Sequence, residues 1–193
     1  ALLTKELSLL GSVSGTEDRL QLLRAIHLTL ISDEGVLRAK YYNPLGIKLL
    51  EAFPASDYRL SREYARTLAY LQTPGAIDKV LTALQKETNT EQQIFYAYCL
   101  RNMKGEWKPE QQEAMIGWFA KTQKEQWKGG ASFTGYLEFT WNSWLQLQTP
   151  ENQTKAKARL AELAPAAVAN AGEFARKAGN MTLSNQELTE YLL

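Results

Sequence analysis

The chain has 193 residues, of which 45% are hydrophobic and 22% charged, and its formal net charge at neutral pH is +1. That size and balance, with a mean hydropathy of −0.36, describe a folded globular chain and not a disordered one, built as one domain or as a short array of repeats. The near-neutral charge argues against a nucleic-acid footprint or a polybasic membrane surface, and a single cysteine, Cys99, excludes an internal disulfide framework and a Cys-rich zinc site.

Ala1-Leu2-Leu3-Thr4-Lys5 lacks the layout of a signal peptide, and the expectation is a segment of a longer protein. The first predicted helix follows Thr16, with Leu20, Leu23, His27, Leu30 and Ile31 recurring at three- and four-residue steps up to Ser32. Asn43-Pro44 announces a second, a capping side chain before a proline, carrying Leu45, Ile47, Leu49 and Leu50 until Pro54 stops it. Ser61 is expected to open a third, with Tyr64, Leu68 and Leu71 on one side and Pro74-Gly75 at its end. Ile77, Val80, Leu81 and Leu84 give a fourth.

Thr90-Glu91-Gln92-Gln93 reads as a capping box, Thr90 accepting from the amide of Gln93 and the Gln93 side chain bonding back. The fifth helix begins there and is apolar or aromatic all round from Ile94 to Leu100, which predicts enclosure by its neighbours. The same run is the longest of its kind and far too short to span a bilayer. Pro109 starts a sixth helix, with Met115, Ile116, Trp118 and Phe119 inward and Gln111, Gln112, Lys121 and Lys124 outward. Gly129-Gly130 breaks the chain, and Ser132 is the expected cap of a seventh bearing Phe133, Tyr136, Leu137, Trp141, Trp144 and Leu145. Thr149-Pro150 starts an eighth that Pro165 ends or kinks. An Ala-rich helix to about Ala178 and a short one capped at Ser184-Asn185-Gln186-Glu187 complete the sequence.

No segment alternates apolar and polar residues for long enough to make a half-buried strand, so the chain is predicted to be all-α. Helix pairs beginning near residues 16, 61, 90 and 132 recur at an irregular interval of about 40, the range of HEAT and armadillo repeats. The expected architecture is a right-handed α-α superhelix of such pairs over residues 1–193, with an aromatic-rich unit at 90–145 and a terminal linker and helix at 179–193. A compact helical bundle is the alternative.

The chemistry-bearing residues are few. His27, the only histidine, falls on an apolar stripe between Leu23 and Leu30, where packing accounts for it. Cys99 lies in the most apolar helix and reads as a small buried hydrophobe, since burial raises a thiol pKa. Gly11-Ser12-Val13-Ser14-Gly15 has Val13 where a nucleophile elbow needs serine. Gly129 and Gly130 could offer backbone amides to an anion at a helix start, but the phosphate-loop spacing is absent and a flexible break with a cap explains them. Glu106, Glu110 and Glu113 alternate with Lys104, Lys108 and Lys121 as a solvated, ion-paired face does. Asn152-Gln153-Thr154 and Asn180-Met181-Thr182 match the glycosylation spacing, which arises easily by chance. The five tryptophans lie between 107 and 144, mostly at core spacing; Trp107 and Trp127, in or beside connections, are the candidates for exposed contact residues.

Tyr96-Ala97-Tyr98-Cys99-Leu100-Arg101, then Trp107, Trp118-Phe119 and Gly129-Gly130-Ala131-Ser132-Phe133-Thr134-Gly135-Tyr136, resemble a helical segment of large multidomain bacterial proteins. In that family a sugar-dehydrogenase-like β-propeller precedes HEAT-like repeats and a c-type cytochrome domain follows. The resemblance covers mainly residues 90–145 and implies a periplasmic or extracellular location. With no Cys-x-x-Cys-His motif in the chain, neither haem binding nor propeller catalysis carries over to any residue. The functional expectation is a non-enzymatic α-helical scaffold, without cofactor or metal, that positions neighbouring domains of the same chain or docks a protein partner. The rival is a helical domain that binds carbohydrate or peptide through its aromatic unit.

Overall fold

The computed structural model describes residues 2–32, 38–124 and 131–165. Of these residues 79% are helical and none forms a strand. Among the described residues nine α-helices follow one another: α1 (Leu2–Leu10), α2 (Thr16–Ile31), α3 (Asn43–Ala52), α4 (Tyr58–Leu71), α5 (Ala76–Lys86), α6 (Thr90–Leu100), α7 (Pro109–Lys124), α8 (Ala131–Leu145) and α9 (Pro150–Leu163). A π-helical turn, Arg38–Tyr42, leads into α3. The Ala-rich stretch up to Ala178 and the capping box at Ser184 lie outside the described residues.

Helix α1 was not legible. Its nine residues are too short a window for a periodic signal, yet it lies along α2, buries Leu7 and places Glu6 as acceptor for Thr29 Oγ1 at 3.1 Å. Neighbours in sequence pack together for α1 with α2, α3 with α4 and α5 with α6, whereas α7 packs chiefly on α9 and α5. The pairs expected from sequence, beginning with α2, α4, α6 and α8, are offset by one helix from these contacts, which do not continue as pairs beyond α6. Beyond the pairs, α2, α4, α6 and α8 touch in succession, and so do α5, α7 and α9. The two series form two layers with the apolar residues between them.

That interior holds Leu23, Ile26 and Leu30 of α2, Leu45 and Leu49 of α3, Leu68 of α4, Leu84 of α5, Leu100 of α6, Met115 and Phe119 of α7 and Trp144 of α8, all fully buried. Each contributes about 1.5–3 kcal/mol by leaving water. On α2 the inward stripe is Leu20, Leu23, Ile26 and Leu30; Ile31, expected inside, is 75% exposed, because the helical period favours 26 over 27 and 31 as the inner line. Ile47 is likewise exposed while Leu45 and Leu49 are buried. Helix α6 meets its expectation: no side chain from Gln92 to Leu100 is classed as exposed, and α4, α5 and α8 surround it.

The helix starts differ from the sequence reading in instructive ways. Asp57, not Ser61, caps α4, its side chain accepting from the Arg59 amide at 2.8 Å. Ser61 sits one turn in, buried, with its hydroxyl donating to Ala55 O and accepting from Ala55 N. Tyr42 rather than Asn43 occupies the position before α3, because the π-helical turn runs straight into it. Asn89 caps α6 by accepting from Gln92 N at 3.0 Å, one residue before the expected Thr90. Ser132 lies inside α8, which already begins at Ala131. Thr149 caps α9 as expected, accepting from Asn152 N.

Gln111, expected on the outer side of α7, is buried: its Oε1 accepts from Lys108 N and its amide donates to Asp78, so a polar side chain closes the first turn of α7 against α5. Gln72, at the end of α4, adopts a left-handed φ of 55°. Its side chain spans to the turn after α6, accepting from Lys104 N at 2.7 Å and donating to Asn102 O at 2.8 Å. These bonds hold a conformation that a residue with a Cβ rarely adopts.

A candidate interaction surface on the even-numbered helices

Trp107 is not the exposed contact residue its loop position suggested. It is 6% exposed, donates from Nε1 to Met103 O at 3.0 Å, and meets Trp144 edge-on with centroids 5.5 Å apart. Folding the α6–α7 connection back under α8 hides the ring and pairs its N–H, as a buried indole requires. Trp144, Trp141 and Phe119 continue the cluster at 5.3 and 5.0 Å. Trp127, Gly129 and Gly130 lie outside the described residues.

His27 and Cys99 are not brought together as a catalytic pair. Thr67 Oγ1 donates to Glu63 O at 2.7 Å, so its contact of 2.6 Å with His27 Nε2 requires the ring N–H to be the donor. The neutral imidazole thus carries its proton on Nε2 and turns its Nδ1 lone pair toward Glu63 Oε2 at 3.8 Å. Burial lowers the His27 pKa, with Glu63 opposing and Arg66 reinforcing the shift. Burial pushes the Cys99 thiol up to about 12, which keeps it protonated and poorly nucleophilic at neutral pH. Among the described residues no group of three or more His, Cys, Asp or Glu side chains could hold a metal ion, and no helix is long and apolar enough to cross a membrane.

Two shallow clefts, of about 290 and 280 Å³, flank Pro54, Ala83 and Lys86 where the α3–α4 connection meets the end of α5. The first is bordered by Tyr58, Gln92 and Tyr96, the second by Asp78 and Lys79. Lys79 is committed to Leu50 O and Phe53 O, and Asp78 to Lys108 and Gln111, so the second cleft has little polar capacity left.

The even-numbered layer carries a more extensive arrangement. On α4, Arg62, Arg66 and Tyr70 stand four residues apart and share one face. The Arg62 guanidinium lies over the Tyr58 ring at 5.5 Å and the Phe95 ring at 5.2 Å; that of Arg66 lies 5.3 Å from Phe95. Phe95 leads to Tyr98 one turn on, and Tyr98 stacks on Tyr136 of α8 at 5.9 Å with ring planes 13° apart. Arg101, at the end of α6, lies 4.1 Å above Tyr98 and 4.6 Å from Phe139, with Nη1 donating to Ser143 Oγ. At the α2 end, Tyr70 donates to Leu30 O at 3.2 Å, which sets its ring beside the turn that exposes Leu28 and Ile31.

A band of arginines and rings therefore crosses α4, α6 and α8, and α2 adds the exposed Leu28 and Ile31. Of the eight exposed large apolar side chains among the described residues, six are on these helices: Leu28, Ile31, Tyr58, Tyr70, Tyr136 and Phe139. Single exposed apolar residues are ordinary; a row of them interleaved with arginine is what protein-binding surfaces concentrate. The sequence reading expected α6 to be enclosed, as it is, but did not show that the half-buried Phe95 and Tyr98 join the arginines and rings of α4 and α8. The available signal was the spacing of Phe95 and Tyr98 opposite Arg62 and Arg66, which only the packing of α4 on α6 aligns.

No protein-family model, curated protein or solved structure matches the chain. The class that the fold defines is an all-α protein of packed helices.

Proposed function

We propose that the chain is a non-enzymatic α-helical repeat module, a right-handed superhelix of HEAT- or armadillo-like pairs, that docks a protein partner or a neighbouring domain on its even-helix face. The observation that carries this reading is the concentration of exposed Leu, Ile, Tyr and Phe side chains with Arg62, Arg66 and Arg101 on α2, α4, α6 and α8. Solenoids of helix pairs use one layer as an extended binding surface, and Tyr, Phe and Arg are the residue types enriched there. The resemblance to multidomain propeller–cytochrome proteins supplies a context, a periplasmic module between oxidoreductase domains; its support is the sequence of residues 90–145. The carbohydrate-binding alternative loses one of its two tryptophans, because Trp107 is enclosed.

The test uses the full-length protein in its own cells, with a photo-crosslinking phenylalanine analogue at Phe139 or Leu28, and at Ile47 of α3 as the control. Crosslinks to one defined protein or neighbouring domain at the first two positions and not at Ile47 are expected. Equal labelling at all three positions removes the assignment of the face. Turnover of a small substrate by the chain, lost on His27→Ala, removes the non-enzymatic reading.

A further inference from the structure

Arg101 is the one member of the band whose charge is left open. Arg59 is paired with Asp57 and Glu17, Arg62 with Glu91, Arg66 with Glu63, and Arg159 with Glu113 and Glu162. Arg101, half-buried, has no carboxylate within ion-pair distance among the described residues. Its Nε is buried without any acceptor, Nη1 has Ser143, and Nη2 has no partner. A guanidinium partly removed from water without a counter-charge is an unfavourable arrangement. Yet the group is held firmly, its face against Tyr98 and Phe139, which fixes the plane and leaves the Nη edge as the direction for a planar acceptor.

We propose that the partner of the even-helix face is an acidic protein segment that places an Asp or Glu carboxylate on the Nη edge of Arg101. An adjacent aromatic or large aliphatic side chain lies over Phe139 and Tyr136. The inference rests on the docking reading above and adds the chemistry of what docks. Two features select this occupant. The unpaired charge is positive, and the exposed surface beside it is apolar: Phe139 is 55% exposed and Tyr136 36%. A basic segment would meet the unpaired Arg101 with like charge, and a purely apolar one would bury the Arg101 guanidinium further without compensation.

The experiment is selection of a random peptide display library on the folded chain, followed by affinity measurement of the enriched peptides on variants. Enriched sequences are expected to carry Asp or Glu next to an aromatic or large aliphatic residue, and to bind more weakly at high salt. Arg101→Gln should lower their affinity by about tenfold or more. Arg101→Lys, which keeps the charge and loses the planar fork, should fall between. Ser143→Glu supplies an internal carboxylate at the residue already bonded to Arg101; it should also displace the peptides, and it serves where Arg101→Gln fails to fold. Peptides without acidic residues, or unaffected by Arg101→Gln and Ser143→Glu, yet lost on Phe139→Ser, overturn the carboxylate inference and leave the docking face standing. Peptides indifferent to Phe139→Ser and Leu28→Ser as well, or no enrichment at all, overturn both.

Discussion

Trp118 of α7 donates from its indole N–H to Gln93 Oε1 of α6 at 2.9 Å, inside the core, while the Gln93 amide donates to Glu87 O at 2.8 Å. Both ends of one side chain are thus used to join α7, the start of α6 and the turn after α5. Trp118→Phe keeps a ring in place but leaves the buried Gln93 oxygen without that donor. The expected cost is about 1–3 kcal/mol, read as a lower denaturation midpoint with an unchanged slope. A loss below about 0.5 kcal/mol, the range of inert surface substitutions, would show that this bond contributes nothing.

The same Gln93 bond explains why the capping box at residues 90–93 does not form. Its amide is occupied by Glu87 O, and the cap passes to Asn89. Asn89→Ala should therefore cost about 1 kcal/mol, with Thr90→Ala, at an exposed first-turn position, close to neutral. Thermal melts of the two variants decide between the frames. The reverse order of costs would restore Thr90 as the cap.

Much of the fold was legible because the signals that specify it are local. Leu20, Leu23 and Leu30, or Val80, Leu81 and Leu84, announce their helices by spacing alone, and Thr149-Pro150 announces α9 by cap chemistry. What was not legible depends on distant neighbours. Whether Gln111 is drawn in by Asp78 and whether Trp107 folds under Trp144 are settled by partners distant in the chain, 33 positions away for Gln111 and Asp78. The candidate surface belongs to this second kind. Arg62, Phe95, Tyr98 and Phe139 come from three helices, and nothing in any one helix marks them as a group.

Gly46 allows α3 to approach the turn that ends α4. A Cβ at residue 46 would overlap Thr73 Oγ1 and lie 2.9 Å from its Cγ2, and Thr73 is itself buried with its hydroxyl unpartnered. Gly46→Ala should destabilise by about 1–3 kcal/mol through overpacking, despite alanine's better helix propensity. Adding Thr73→Ala removes the obstructing atoms, so the double variant should recover most of the loss, a coupling that a double-mutant cycle measures directly. Strict additivity of the two changes would mean that the contact is not the cause.

His27 makes stability depend on pH in a definite direction. Its folded-state pKa lies below 6.5, chiefly because burial disfavours the imidazolium, so the unfolded chain binds the proton more readily. Above the unfolded value both states are neutral and His27 contributes no slope. As the pH falls through 6.5, protonation of the unfolded chain begins to favour unfolding. The loss grows until the pH passes the lowered folded value, where both states are charged and the slope ends. Because His27 is the only histidine, melting temperatures between about pH 7.5 and about pH 5.5 isolate it from most carboxylates. They should decline across that range in the native chain and stay nearly flat in His27→Gln, whose amide can still donate to Thr67. The Glu63 carboxylate moderates the decline by attracting the Nδ1 proton, so Glu63→Gln should steepen it. A melting temperature that rises on acidification, or a slope unchanged by His27→Gln, would contradict the partly buried, Nε2-protonated imidazole between α2 and α4.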